Sequence, residues 1–270
     1  MSFDTGKTGA ALTAAKAEGR AALIGFMHVG YPDVPTSLNA LRAMARTCDV
    51  VEIGLPYSDP VMDGAVIQRT GTTALARGVR TKDAFAAAEA VTEAGGRAVV
   101  MTYWNLVERY GVDRFARDFA NAGGCGLITP DLTPDEAGAW MEASDEHGLD
   151  RIFLVAPSST DERIASTVDA CRGWVYATAV MGVTGAREQS STAAPELVRR
   201  IRALRPDVPI GIGLGVSGGK QAREIAQFAD GVIVGSALVR TLIAAEDAGD
   251  PSNLSGLQKV LDDLAAGCRG

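Results

Sequence analysis

LIGFMHVGYPDVPTSLNALRAMARTCDVVEIGL, residues 23–55, contains one complete strand–helix–strand unit. The apolar run Leu23–Val29 has the length of a buried strand, and Val50–Leu55 is a second one. Between them, Thr36–Arg46 repeats its apolar residues at three- and four-residue spacing, the period of a helix with one buried face. A parallel strand pair needs a crossover, and a helix of this length supplies one; strict alternation of strands and helices therefore reads as a parallel sheet. The same alternation continues outward. Further apolar runs lie at Arg97–Tyr103, Gly126–Thr129, Arg151–Ala156, Trp174–Ala179, Pro209–Leu214 and Gly231–Val234. Helical patterns separate them, as at Lys82–Ala94, Asp113–Ala122, Pro134–His147, Asp161–Cys171, Pro195–Leu204 and Gly219–Phe228. Thr133, followed by Pro134 and Glu136, reads as an N-cap with Pro at the first helical position.

Eight strand–helix units predict a parallel eight-stranded (β/α)8 barrel, with residues 1–270 as one domain. A nine-strand or open doubly wound sheet is the alternative. The leading segment, residues 1–22, contains a helix-prone stretch at Gly9–Ala17 that is expected to cap the barrel floor.

Composition narrows the function. The chain has 270 residues, with 26 Lys+Arg against 33 Asp+Glu and a net charge of −7, so no basic surface stands ready for nucleic acid. No apolar run is long enough for a membrane span, and the N-terminus has no signal-peptide pattern. Cys48, Cys125, Cys171 and Cys268 are far apart and form no CxxC, which reads as reduced thiols in a cytoplasmic protein. Two histidines and isolated cysteines leave no catalytic zinc set, so no metal is expected.

In a barrel, chemistry belongs at the carboxyl ends of the strands. Strand alternation in Val50–Leu55 turns Val51, Ile53 and Leu55 toward the helices and Val50, Glu52 and Gly54 inward. An inward carboxylate with no cation nearby should have its pKa raised, which suits a proton donor near neutral pH. A structural glutamate bonded to a neighbouring strand would fit the pattern equally well. The following loop, Pro56 to Gly64, adds Asp59 and Asp63, and a protonated acid beside an ionised one can divide the work. Asp59-Pro60 and Asp63-Gly64 are also ordinary turn dipeptides.

Glycine-bearing loops follow the last three runs: Met181 to Gly185, Gly213 to Gly219, and Gly235-Ser236. Loops in these places commonly hold phosphate in barrels. Two other matches fail. Gly213–Gly218 fits GxGxxG but no acidic residue ends a following strand, and Gly215–Gly219 fits GxSxG but both histidines, His28 and His147, precede it.

The segment from Glu52 through Asp59-Pro60 to Asp63-Gly64 and Ile67-Gln68 resembles the signature of the tryptophan synthase α-subunit family. Phe26 through Gly30-Tyr31-Pro32, Asn105, Gly182 to Gly185 and Gly235-Ser236 match it too, and the resemblance covers nearly the whole chain. It implies a (β/α)8 lyase that cleaves indole-3-glycerol phosphate to indole and glyceraldehyde 3-phosphate without a cofactor. Glu52 would then be the general acid/base, and Asp63 would accept the indole N–H. Tyr176, Phe26 and Leu214 would line the indole pocket. Thr184 would close over Asp63, while Gly185, Gly215, Gly235 and Ser236 would bind phosphate. Asp59, Pro60 and Asn105 would face a β subunit in an α2β2 complex. His28 stands where the family is expected to have Thr, Trp104 where it often has a small residue, and Leu214 where Phe is frequent. Two other functions fit the sequence as well: a free-standing phosphate-binding barrel enzyme, and a non-catalytic barrel that activates a partner.

Overall fold

The computed structural model describes residues 2–178, 193–213 and 215–270. The strands are β1 (Ala22–His28), β2 (Val50–Gly54), β3 (Ala98–Met101), β4 (Gly126–Ile128), β5 (Asp150–Ile152), β6 (Leu154–Val155), β7 (Val175–Thr178), β8 (Ile210–Gly213) and β9 (Gly231–Val234). Every pairing between them is parallel, and the order is β5-β4-β3-β2-β1-β9-β8-β7-β6. The two ends of that order, β5 and β6, belong to one run broken only at Phe153. Its first half pairs with β4 and its second half with β7, so the sheet closes on itself through residues 150–155. Among the described residues, eight sequence runs therefore give nine strand segments in a nearly closed barrel, and the open-sheet alternative is excluded.

The helices are α1 (Thr8–Ala17), α2 (Val34–Ala45), α3 (Ala65–Ala76), α4 (Asp83–Glu93), α5 (Trp104–Tyr110), α6 (Val112–Asn121), α7 (Gly138–Glu146), α8 (Asp161–Ala170), α9 (Ala193–Leu204), α10 (Gly219–Ala226), α11 (Ser236–Asp247) and α12 (Ser255–Cys268). Their starts follow local chemistry. Asp33 accepts from the Thr36 N–H at 2.7 Å and opens α2 with Pro35 in its first turn. Thr160 accepts from the Arg163 N–H at 3.2 Å and opens α8. Thr133 does not cap a helix as the sequence pattern suggested. Its side chain makes no cap bond, and Pro134–Glu136 is a tight 3-10 turn in which the Ala137 N–H bonds back to Pro134. That i to i+3 closure ends the turn, and α7 starts afresh at Gly138.

Two apolar layers result. Val51, Ile53 and Leu55 join the large layer between strands and helices, whereas Val50 belongs to the barrel interior with Ile24, Val99, Ile128, Ile152, Trp174 and Ile233. The inward and outward faces of β2 are those its alternation predicts. Ala11, Leu12 and Ala15 of α1 share the interior cluster, so this helix packs against the inward residues at the amino ends of the strands. Burying each large apolar side chain contributes about 1.5–3 kcal/mol, so the more populous outer layer holds most of the stability. No described helix is long and apolar enough to cross a membrane.

Candidate active site

Glu52 sits on β2 with Phe26 opposite it on β1 and Val99 opposite it on β3. It is 1% exposed, and its Oε1 has no hydrogen-bond partner among the described residues. Burial alone pushes its carboxyl up to about 8. In water a carboxylate would be ionised at neutral pH; here the apolar wall favours the protonated acid. The unpartnered oxygen argues against a glutamate held by its neighbouring strands.

The loop after β2 brings Asp63 to the same end of the barrel. Asp63 is half-buried, and burial pushes its carboxyl up to about 6. It lines a cavity with Phe26, His28, Gly54, Met101 and Tyr103, one layer toward the mouth from Glu52. The Asp63 carbonyl accepts from Gln68 Nε2 at 2.8 Å, and the neighbouring Met62 N–H donates to the Tyr103 hydroxyl at 3.0 Å. Asp59 accepts from Ser58 Oγ at 2.6 Å and is exposed, with Pro60 partly so. Asn105, on α5, reaches the Tyr57 hydroxyl at 3.4 Å.

Tyr176 points inward from β7 and stacks on Trp174 with ring centroids 5.7 Å apart. A Cβ on Gly213, two residues along β8 from the Gly211 that pairs with Tyr176, would stand 2.5 Å from the Tyr176 hydroxyl, so only glycine leaves the phenol its place. Burial raises the Tyr176 pKa, and a charge on Glu52 raises it further. His28 is buried, with Nδ1 2.8 Å from Thr70 Oγ1 and its ring edge-on to Phe26 at 5.1 Å. Thr70 donates its own proton to the Ile67 carbonyl, so it accepts from His28 Nδ1–H. Burial pushes the imidazole down to about 4, leaving it neutral at pH 7. A Cβ on Gly54 would collide with both Phe26 and His28, which is why β2 ends on glycine there.

On the other side of the mouth, Gly215 follows β8 with φ +64°, and Gly235 precedes Ser236, the first residue of α11. The first N–H groups of a helix have no intrahelical acceptor and carry partial positive charge, so this turn can take an anion. Thr184, Gly185 and Leu214 lie outside the described residues. Sequence reasoning did not single out Tyr103, although it ends the third apolar run, where the barrel rule looks for function. Met101 and Thr102 also line the cavity and went unremarked for the same reason.

Comparison with known proteins agrees with this geometry. Residues 12–266 match the family model described as tryptophan synthase alpha chain. The tryptophan synthase alpha chain of Mycobacterium marinum is 58% identical over 267 residues, covering 98% of this chain and 96% of its own. The solved structure of Mycobacterium tuberculosis tryptophan synthase superposes with a TM-score of 0.91 at 56% identity, covering 99% of this chain and 100% of that one. A mutant tryptophan synthase alpha-subunit from Pyrococcus furiosus still reaches 0.81 at 30% identity, over 91% and 98% of the two chains. A family match along almost the full length, joined to a barrel with a buried acid at its mouth, leaves one assignment: the chain belongs to the tryptophan synthase alpha chain family.

Proposed function

We propose that Glu52 and Asp63 are the two working carboxylates of this lyase, which cleaves indole-3-glycerol phosphate to indole and glyceraldehyde 3-phosphate in tryptophan biosynthesis. The observation that supports it best is Glu52 itself, buried at the barrel mouth with an unpartnered oxygen and a carboxyl pushed up to about 8. In the reaction, protonated Glu52 gives its proton to indole C3, and the ring nitrogen becomes cationic. Asp63, ionised, accepts the N–H and stabilises that charge. Glu52, now a carboxylate, takes the proton of the adjacent glycerol hydroxyl. The C3–glycerol bond breaks, its electron pair returns to the ring, and indole and the aldehyde leave with Glu52 protonated again. No outside electron sink is required, because the protonated ring supplies one.

Phe26, Tyr176 and Leu214 would hold the indole, and Thr184 would close over Asp63. Gly185, Gly215, Gly235 and Ser236 would hold the phosphate at the α11 N-terminus. The partner is a tryptophan synthase beta chain, in an α2β2 assembly within the cytoplasm, with residues 1–270 acting as one domain. Val61, 75% exposed beside Asp59 and Pro60, is an apolar side chain of the kind a partner covers, and Asn105 would share that face. The direct test is indole formation from indole-3-glycerol phosphate, with and without a beta chain. Activity that rises on adding the beta chain is the expected result; none in either condition would remove the assignment of a working lyase site.

A further inference from the structure

We propose that Tyr103 is the positioning residue of Asp63: its hydroxyl pins the loop after β2 against the barrel mouth and so fixes the carboxylate over the substrate. The proposal rests on the reading of Asp63 given above. Its geometry has three parts. First, the Tyr103 oxygen accepts from the Met62 N–H at 3.0 Å, one residue before Asp63. On the far side the Asp63 carbonyl is tied to Gln68 of α3 at 2.8 Å, so the aspartate hangs between two anchors. Second, the Tyr103 ring is buried and stacks on Tyr57, with centroids 4.8 Å apart and planes 25° from parallel, so it grips the beginning of the same loop. Third, Tyr103 is itself held. The next residue, Trp104, donates its N–H to the Asp131 carboxylate at 2.9 and 3.1 Å, which fixes the start of α5.

The loop it holds needs such a clamp. Between Tyr57 and Asp63 the chain forms no helix or strand, and Val61 and Met62 are exposed. Without the Tyr103 acceptor, the Met62 N–H would turn to water and the loop would lift. Displacing a reacting group by about 1 Å can cost on the order of 100-fold in rate. Lifting would also hydrate Asp63 and undo the burial that raises its carboxyl to about 6.

Tyr103→Phe keeps the ring stack and deletes only the acceptor, so it is the variant to make. We expect kcat to fall about tenfold or more, with KM within about threefold and an unchanged melting temperature. The acid limb of the rate profile should move at least about half a pH unit lower. A merely structural tyrosine would lower the melting temperature and leave the limb where it was. Turnover within twofold of wild type with an unmoved limb overturns the proposal, as does a loss that follows stability alone. Asp63→Asn, measured alongside, separates the two levels. Near wild-type turnover in that variant removes the reading of Asp63 and this proposal with it, whereas a crippled Asp63→Asn with an unaltered Tyr103→Phe overturns the proposal alone.

Discussion

Glu52 and Asp150 are both strand carboxylates, both 1% exposed; Glu52 stands in the middle of β2 and Asp150 is the first residue of β5. Asp150 begins β5 at the floor and is surrounded by donors: the Thr8 N–H at 2.7 Å, the Thr8 hydroxyl at 2.6 Å, the Lys7 N–H at 3.2 Å and Arg172 Nε at 3.9 Å. Burial raises its pKa, and those donors pull against the rise. Among the described residues, Glu52 has an unpartnered oxygen and no counterweight, only burial. One carboxylate ties α1 to the sheet; the other keeps a proton available in an apolar pocket. On the proposed reading of Glu52, what separates a structural acid from a reactive one in this barrel is its set of partners, since both are equally hidden from water.

Substitution should split the two cleanly. Glu52→Gln keeps the shape and puts an amide in place of the carboxyl, which removes the transferable proton. Indole release should drop by at least about 1,000-fold, a loss of about 4 kcal/mol in transition-state stabilisation, with the melting temperature unchanged or higher. Turnover near wild type would place Glu52 with Asp150 as a structural acid. Asp63→Asn should follow at about 100-fold or more in kcat, because a neutral amide cannot stabilise the cationic ring; a loss under about tenfold (~1.4 kcal/mol) would deny Asp63 that charge role.

Asp150→Ala should show the opposite profile. It leaves the Thr8 and Lys7 N–H groups without an acceptor at a buried helix start, which costs about 2–4 kcal/mol in denaturant unfolding. Turnover per folded molecule should stay within about twofold. A stability loss below about 1 kcal/mol would mean that the donor cluster is ornamental and the contrast between the two acids is false.

Much of this contrast is legible in the sequence. Alternation in Val50–Leu55 set Glu52 inward, because a strand's period of two admits one answer once Val51, Ile53 and Leu55 take the outer layer. The barrel followed from repetition, since each unit constrains the next. Asp150 was invisible as a floor acid. Its partners are Thr8 and Lys7, more than 140 residues away in sequence, and no local pattern carries such a contact. The break at Phe153 was hidden for a similar reason: the run Arg151–Ala156 is uniformly apolar after its first residue, and only the need to serve two neighbouring strands splits it. Thr133 misled because the cap rule sees residue types, while the turn that forms depends on where the following chain packs. Tyr103 was passed over because its role lies in one hydroxyl oxygen reaching another loop, a contact that an aromatic at a strand end does not announce.

The pH profile tests the pairing of the two mouth carboxylates with the smallest expected effect. Glu52 must carry its proton to give it away, so activity should fall as pH rises through about 8. Asp63 must be ionised to hold the cation, so activity should fall as pH drops through about 6. The kcat/KM profile is therefore expected to be a bell with its maximum near 7, losing about tenfold (~1.4 kcal/mol) for each pH unit beyond either limb. A phosphate monoester also gains its second proton near pH 6, so the acid limb alone is ambiguous. Residual activity in Asp63→Asn resolves it: the acid limb should flatten there if the aspartate causes it and persist unchanged if the substrate does. A basic limb near 4.5, the ordinary position for a glutamate, would mean that water reaches Glu52 and that its burial is not what sets its chemistry.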